Sequence, residues 1–365
     1  MEAPQPENPM LNHNPADILA AGPDAVLIAA GHAPRTPHPL AEHYADSPLT
    51  ALARAAAELR RPASPHENPR AIVARGAATA DFSNAVGAAL RVLAWHTFEG
   101  AADHRAFCAE HEVRDFKPVE IVAAQSDLDL VRTREFGEHV TGRAWSATLR
   151  QDVRLDTYAT TIGITRQDLV NDDVGALTAT LAEAANLAAL TEANLVFGQL
   201  AAPSPVYASQ KPFWLEGFND LIGDNYRLIP PGFEALDSNG LAKAMHILRG
   251  QRTAMGRDSN YSAGFLVVSG ALEYGARRLV KAADLPIQVV ANSRLETNNY
   301  FVIARKDVQP VVATLKLRGT KNPQRVEPMT DDESGFDGVL FKLAADLGAT
   351  LLTDGRGIVR HREAT

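Results

Sequence analysis

The chain has 365 residues, 45% of them hydrophobic and 22% charged, with a formal net charge of −8. That length buries a sizeable core in one elaborated domain or two, and the acidic balance argues against a surface built to neutralise phosphates. A single cysteine, Cys108, excludes an intramolecular disulfide and suits a reducing compartment. Residues 1–7 lack the basic and apolar regions of a secretory signal, and no apolar run approaches the ~20 residues that span a bilayer, so a soluble cytoplasmic protein is expected.

Prolines recur at positions 4, 6, 9, 15, 23, 34, 37, 39, 48, 62, 65 and 69 and leave room for short helices only. The best of these runs from Pro48 to Arg60, with Leu49, Leu52, Ala56 and Leu59 at helical spacing. Residues 1–70 therefore read as a proline-rich N-terminal extension with little core of its own. His32, His38 and His43 are spread over it at spacings that fit no compact ligand motif.

From Ala71 the character changes. Asp81 to Phe98 reads as an amphipathic helix with Phe82, Val86, Leu90 and Leu93 on one side, capped by Asp81 or by Thr79. A second helix is expected over 101–110, which would place His104, Cys108 and His111 on one helical face. Three such groups without a fourth favour a structural role over a metal site.

A short strand over 116–122 is expected to lead into a long two-stranded arm. One strand covers Asp127–Thr133, the tip lies at Phe136–Gly142, and the return runs from Asp152 through Tyr158 to Ile164. Val153 and Leu155 alternate there with Asp152, Arg154 and Asp156, the pattern of a ribbon with one covered face. An isolated ribbon is marginally stable in water and must lie on something else: its own domain, or a neighbouring subunit, which the arm's length favours. Asn171, Asp172 and Asp173 then offer caps for a long helix reaching about Leu200. Leu177, Leu181, Ala184, Ala188 and Leu195 mark one face of it, and Leu187, Leu190 and Phe197 another. That describes a central, packed helix.

Residues 203–240 are loop-rich, with Phe213, Trp214 and Phe218 near Lys211 and Arg227. Without a basic surround these aromatics read as packing or a subunit contact rather than a nucleic-acid platform. Residues 241–325 look like a compact α/β unit, with helices over 241–255 and 272–281 and strands over 264–269, 287–290, 300–304 and 311–317. Residues 331–335 form an acidic turn without the alternating ligands of a calcium loop. Strands at 339–343 and 349–353 flank a turn at 346–348. The chain contains no phosphate-cradling loop, dinucleotide fingerprint, zinc-protease helix or nucleophile elbow. Ser269 follows a buried strand, but Val267 and Ala271 stand where an elbow needs glycines.

Five stretches give these segments a likeness. They are Ala78–Phe82, Val113–Lys117, Glu135–Glu138, Ile164–Ala176 with its Thr-Arg-Gln-Asp-Leu-Val-Asn-Asp-Asp run, and Phe336–Lys342 with Asp346–Gly348 and Asp354–Gly357. Together they resemble the major capsid proteins of tailed bacteriophages, with the Hong Kong 97-type fold, of the branch often encoded fused behind a prohead protease. The resemblance implies an α+β fold with an N-terminal arm over 71–125 and an extended β-hairpin loop over 126–172. A peripheral domain over 173–235 and 326–365 would carry the long spine helix, and an α/β axial domain would cover 236–325. It further implies a homo-oligomer of pentamers and hexamers in an icosahedral virion shell, assembled in the host bacterial cytoplasm. The shell would enclose double-stranded DNA without sequence-specific binding and without a membrane, a cofactor or catalysis. A scaffold, a prohead protease, a portal and cement proteins are the implied partners. Arg134, Glu135, Phe136, Glu138, Arg143, Trp145, Arg154 and Arg166 are the expected intersubunit contacts. The segment 126–173 contains no lysine, which excludes a lysine crosslink starting there. Two other readings compete: an encapsulin-like or domesticated prophage compartment, and an α/β hydrolase using Ser269.

Overall fold

The structure, a computed structural model, describes residues 13–64, 67–118, 120–127, 143–150, 153–171, 174–201, 236–252, 258–295, 299–329, 337–353 and 355–361. Its first half runs α1 (Pro15–Ala29), α2 (Pro48–Arg60), α3 (Pro69–Ala77), α4 (Ala80–Ala101), β1 (Ala109–Val113), β2 (Glu120–Asp127), β3 (Arg143–Arg150) and β4 (Asp156–Thr165). Then come α5 (Arg166–Asn171), α6 (Val174–Ala201), α7 (Ser238–Gly250), β5 (Ala263–Ser269), α8 (Glu273–Ala282), β6 (Gln288–Asn292) and β7 (Tyr300–Ala304). The last strands are β8 (Val312–Leu317), β9 (Gln324–Met329), β10 (Gly338–Leu347), β11 (Ala349–Leu351) and β12 (Ile358–His361).

The chain divides into two compact units. The first takes residues 1–101, 157–190 and 321–346, and the second takes 102–156, 191–320 and 347–365.

In the first unit, α1 to α4, α5 and the first part of α6 pack with a three-stranded sheet of order β4-β10-β9. Strand β10 shows why: Val339, Phe341 and Leu343 alternate inward, the period-2 signature of a sheet face on a core, and β9 sets Val326 opposite Leu343. The core takes Val26 and Leu27 from α1, Leu49, Leu52 and Ala56 from α2, and Val73 from α3. It adds Phe82, Val86, Leu90 and Leu93 from α4. Residues 13–77 are therefore not an appendage with little core; they supply a helical layer of the unit. Each of the first three helices opens on a proline, preceded by Asn14, Ser47 and Asn68. The first turn needs no proline N–H, and the fixed φ suits it. Asn14 and Asn68 accept from Ala16 N and Arg70 N at 3.1 and 3.0 Å. Gly76 lets α2 and α3 approach, because a Cβ there would stand 1.6 Å from the Ala53 carbonyl oxygen. Thr79 caps α4, its hydroxyl accepting from Phe82 N at 3.3 Å; Asp81 instead pairs with Arg60 at 3.1 Å.

The second unit contains a four-stranded sheet of order β12-β7-β5-β6, a three-stranded sheet β1-β8-β11 and the two-stranded ribbon β2-β3. Strands β5 and β7 are buried on both faces. Phe265 and Val267 serve one core with Phe107, Phe197 and Ile303, and Leu266 and Val268 serve another beneath α7 and α8. The strand expected over 311–317 forms, as β8, but it pairs with β1 in parallel rather than joining the α/β sheet, which β12 completes from the C-terminal end. The helix expected over 101–110 is a 3-10 turn at Asp103–Ala106 followed by β1, so His104, Cys108 and His111 share no helical face. The turn expected at 346–348 is displaced as well: Asp346 lies within β10, 5% exposed.

Among the described residues one helix, α6, is long and apolar enough to cross a membrane by length and composition, which the expectation of no such run missed. Alanine, with only Glu183 and Glu192 as charges, gives it that character. Its buried residues belong to protein cores.

Candidate functional site

A two-stranded ribbon forms, but from other segments than expected, and beyond Asp127 the expected strand at 127–133 and the tip at 136–142 lie outside the described residues. Strand β2 pairs antiparallel with β3, Glu120 opposite Arg150 and Asp127 opposite Arg143, and the ribbon forms a sheet of its own. The return strand is thus 143–150, not 152–164. Residues 156–165 instead form β4, the edge of the first unit's sheet. Ile162 and Ile164, 2% and 1% exposed, decide this, because β4 gains a core face there that the ribbon cannot offer. From Asp156 to Thr161, β4 is exposed at every position. A strand bare on both faces is unusual for a subunit that works alone.

The anticipated contact residues are distributed along these elements. Arg134, Glu135, Phe136 and Glu138 lie outside the described residues, as do Phe213, Trp214, Phe218 and the acidic turn at 331–335. Arg143 and Trp145 stand on β3 opposite Asp127 and Gln125. Arg154 pairs with Asp156 at 2.9 Å, with 61% of its side chain exposed. Arg166 pairs loosely with Asp337 at 4.0 Å. Exposed pairs of this kind contribute roughly 0–1 kcal/mol, so either arginine can exchange its carboxylate at little cost. Thr165 and Asp168 cap α5 reciprocally: the Thr165 N–H and hydroxyl donate to the Asp168 carboxylate at 3.0 and 2.6 Å, and Asp168 N donates back at 3.2 Å.

Along α6, Leu177, Leu181 and Ala184 are buried in the first unit's core. Ala188 is half-buried, and Leu195 packs against a second-unit core that also takes Phe197. Leu187 and Leu190 are exposed, at 54% and 51%, so α6 is not apolar-packed on all sides within one subunit.

The structure adds a buried ionic cluster that sequence reasoning missed. Glu192, fully buried on α6, accepts from Arg105 Nε and a terminal guanidinium nitrogen, both at 2.7 Å. It also meets His104 Nε2 at 2.8 Å. Burial pushes the Glu192 carboxyl up, but the hydrogen bonds from Arg105 and His104 outweigh it and hold the group below the usual range. Burial likewise opposes the Arg105 charge, and the Glu192 hydrogen bond more than restores it. The available signal was an acid at the third place of the stripe Ala185, Ala189, Glu192, Val196, since a carboxylate on a buried stripe demands a buried cation. The cluster ties the 103–106 turn to the helix.

It offers no reactive group. Burial raises the Cys108 thiol well above its ordinary value, and the Glu192 charge adds to that, so no thiolate forms near neutral pH. Ser269 is 2% exposed, and its hydroxyl has no hydrogen-bond partner among the described residues, whereas a serine nucleophile needs a base within reach. Among the described residues no group of three or more His, Cys, Asp or Glu side chains stands close enough to hold a metal ion.

Compared with known proteins, residues 148–361 match the family model described as phage capsid protein. No curated protein matches the chain. Solved structures that resemble it include a virus-like particle from Pyrococcus furiosus, at 12% identity and a TM-score of 0.41, covering 75% of this chain and 98% of that one. The capsid of cyanophage P-SCSP1u aligns at 11% identity and a TM-score of 0.41, over 72% of this chain and 88% of its own. The capsid of Myoviridae phage XM1 aligns at 10% and 0.41, over 72% and 91%. Superpositions at this level leave the assignment to the family match.

Proposed function

The chain belongs to the phage capsid protein family, and from that premise we propose the following finer reading of it as the major head-shell subunit. Copies of the chain associate as pentamers and hexamers, close into an icosahedral shell of the Hong Kong 97 type, and enclose double-stranded DNA. The family match over 148–361 carries the reading. In this reading the segment 126–172 is the extended loop and lies across a neighbouring subunit. Residues 173–235 and 326–365 form the peripheral domain around α6, and 236–325 the axial domain. Arg143, Trp145, Arg154 and Arg166 contribute to subunit contacts, as do Arg134, Glu135, Phe136 and Glu138.

The ribbon supports this assignment. Two strands that, among the described residues, pair only with each other are marginal in water, and a neighbouring subunit supplies the missing face. Many modest interfaces under closed symmetry then give a shell that no single contact must hold. With no lysine between 126 and 173, the grip of that segment is non-covalent on the lysine side. The subunit works without catalysis and assembles in the host bacterial cytoplasm, with a scaffold, a prohead protease, a portal and cement proteins as further partners.

Electron microscopy of the purified protein, with scaffold or protease supplied where needed, tests the reading. Closed shells or five- and six-fold rings are expected, and a strict monomer under all these conditions refutes it. Shells filled with a protein cargo instead of DNA would favour a storage compartment. Replacing residues 121–149 by a short flexible linker should leave a folded subunit that cannot close shells. Normal assembly of that variant would remove the ribbon from the intersubunit contacts.

A further inference from the structure

Helices α7 and α8 lie on one face of the second unit's four-stranded sheet, α7 over β12 and β7, α8 over β6 and β5. Their inner sides give Leu241, Leu248, Ala276 and Val280 to the core beneath, where Leu266, Val268 and Val302 meet them. Burial of those positions fixes what faces outward: Lys243 and Arg249 on α7, and Tyr274, Arg277, Arg278 and Lys281 on α8, all exposed. The two helices carry five cations against one carboxylate, Glu273, which Arg277 already engages at 2.8 Å. Arg249, Arg278 and Lys281 form no ion pair among the described residues. Asp237 is committed to capping α7, accepting from Gly240 N at 2.6 Å, and Asp284 flanks the end of α8. In a chain of net charge −8 this layer is a local reversal of sign.

Two kinds of partner present complementary charge: an acidic surface of a second copy, and a polyphosphate. Protein interfaces concentrate apolar and aromatic side chains at a desolvated centre and deplete lysine, whereas nucleic-acid interfaces are polar and strongly basic. The only large apolar side chain exposed on these two helices is Tyr274, at 78%. Lys243 and Arg249 stand about 9 Å apart along their helix axis, and Arg277 and Lys281 about 6 Å, so each pair is separated by a length over which a duplex strand presents about two or three phosphates.

We propose that the outer face of α7 and α8 binds the phosphate backbone of duplex DNA without reading its sequence. The inference deepens the shell reading, on which it rests only for the identity of the nucleic acid, the packaged genome. The cations neutralise phosphates and release condensed counterions, so affinity falls steeply with salt and is indifferent to sequence. The overall negative charge keeps the rest of the subunit off the DNA, which confines contact to this layer.

The test uses the full chain and a fluorescein-labelled 30-base-pair duplex, with anisotropy read from low salt upward. Expected is sequence-independent binding with a log–log salt slope of about −3 to −4, corresponding to roughly four phosphate contacts. R278E/K281E should bind roughly tenfold or more weakly and lower the slope by about 2. R114E/K117E, which changes net charge equally on the exposed loop after β1, should bind like the wild type. Equal weakening by both pairs would show a bulk charge effect and overturn the proposal. So would unchanged binding by R278E/K281E, or no binding by the wild type at low salt accompanied by failure of R278E/K281E to assemble, which would make the face a contact between copies. Should the reversal variant not fold, R278Q/K281Q gives the same reading. Salt-sensitive binding by protein that never forms shells would refute the shell reading and leave this one standing; shells whose subunits bind DNA regardless of these residues would do the reverse.

Discussion

Replacing Glu192 by glutamine removes one charge and little volume from a fully buried ionic group in the second unit. Wild-type Glu192 is fully buried and receives two 2.7 Å hydrogen bonds from Arg105 and one 2.8 Å contact from His104. Removing one partner of a buried ion pair typically costs ~3–5 kcal/mol, because the remaining charge keeps its desolvation penalty. Arg105 retains 23% side-chain exposure and can regain some hydration, and glutamine still offers one acceptor, so a loss of about 2–3 kcal/mol is expected for E192Q. With a urea slope of ~1–3 kcal/mol/M, the unfolding midpoint of the unassembled subunit should fall by about 1 M or more. The pH dependence follows from the direction of the shift. The folded-state carboxyl sits below its ordinary value of 4.5, so the unfolded chain binds more protons there and folding is favoured by ionised Glu192. The contribution is complete above the ordinary carboxylate range and disappears as pH falls through the lowered value. The gap between wild type and E192Q should therefore be full at pH 7 and narrow steadily below about pH 4. A gap under about 0.5 kcal/mol at pH 7, or one that does not narrow in acid, refutes the account.

The packing gives three further expectations. Gly76→Ala forces a Cβ to within 1.6 Å of the Ala53 carbonyl oxygen and should destabilise by about 3 kcal/mol, whereas at Gly87 the nearest atom stands 3.7 Å away, and Gly87→Ala should be neutral or stabilising by up to ~1 kcal/mol; urea melts of the two separate close packing from helix propensity. Deleting residues 1–61 takes Val26, Leu27, Leu49, Leu52, Ala53 and Ala56 from the core, and the product should be insoluble or molten by near-ultraviolet circular dichroism; a soluble, cooperatively melting product would show that these helices are dispensable. Cys108, 5% exposed and raised in pKa by burial, should react with a disulfide reagent at pH 8 only as fast as the unit opens, and at full speed in denaturant.

The N-terminal helices show where sequence reading fell short. Proline density made residues 1–70 look like a loose extension, yet Pro15, Pro48 and Pro69 each stand at a helix start behind a polar residue. The signal was local and present: a capping side chain followed by proline starts a helix as readily as it ends one. Only α2 was legible, because its leucines repeat at helical spacing, while α1 also carries Pro23 inside it. Strands β5 and β7 and helix α8 were legible for the same kind of reason, as continuous or periodic apolar runs bounded by polar turns. Strand pairing was not. The segment 156–165 alternates like a ribbon strand, and what draws it to β10 is a partner some 180 residues away that completes the core around Ile162 and Ile164. The ionic cluster was hidden likewise, since Arg105 and His104 lie 87 and 88 residues from Glu192.

On the proposed reading, folding and assembly draw on different residues in this subunit. The three large cores take their side chains from α1 to α4, from the inner sides of α6, α7 and α8, and from the strands of the larger sheets. The ribbon forms a sheet by itself, the first six residues of β4 are bare, and the outer sides of α7 and α8 hold exposed charge. A side chain outside every core contributes little to the stability of the subunit, so substitutions at Arg154, Arg166, Tyr158 or Lys281 should leave its melting nearly unchanged and act only on what the subunit binds. The separation has a physical rationale: a subunit that folds before it meets its neighbours is held together by its own cores and not by the surfaces they will cover. Substitutions that lower the melting temperature should thus map to the helical layers and inner strands, and those that block closure without lowering it to the ribbon and the exposed part of β4. A ribbon variant that melts early would break this division and show that the arm already rests on its own subunit.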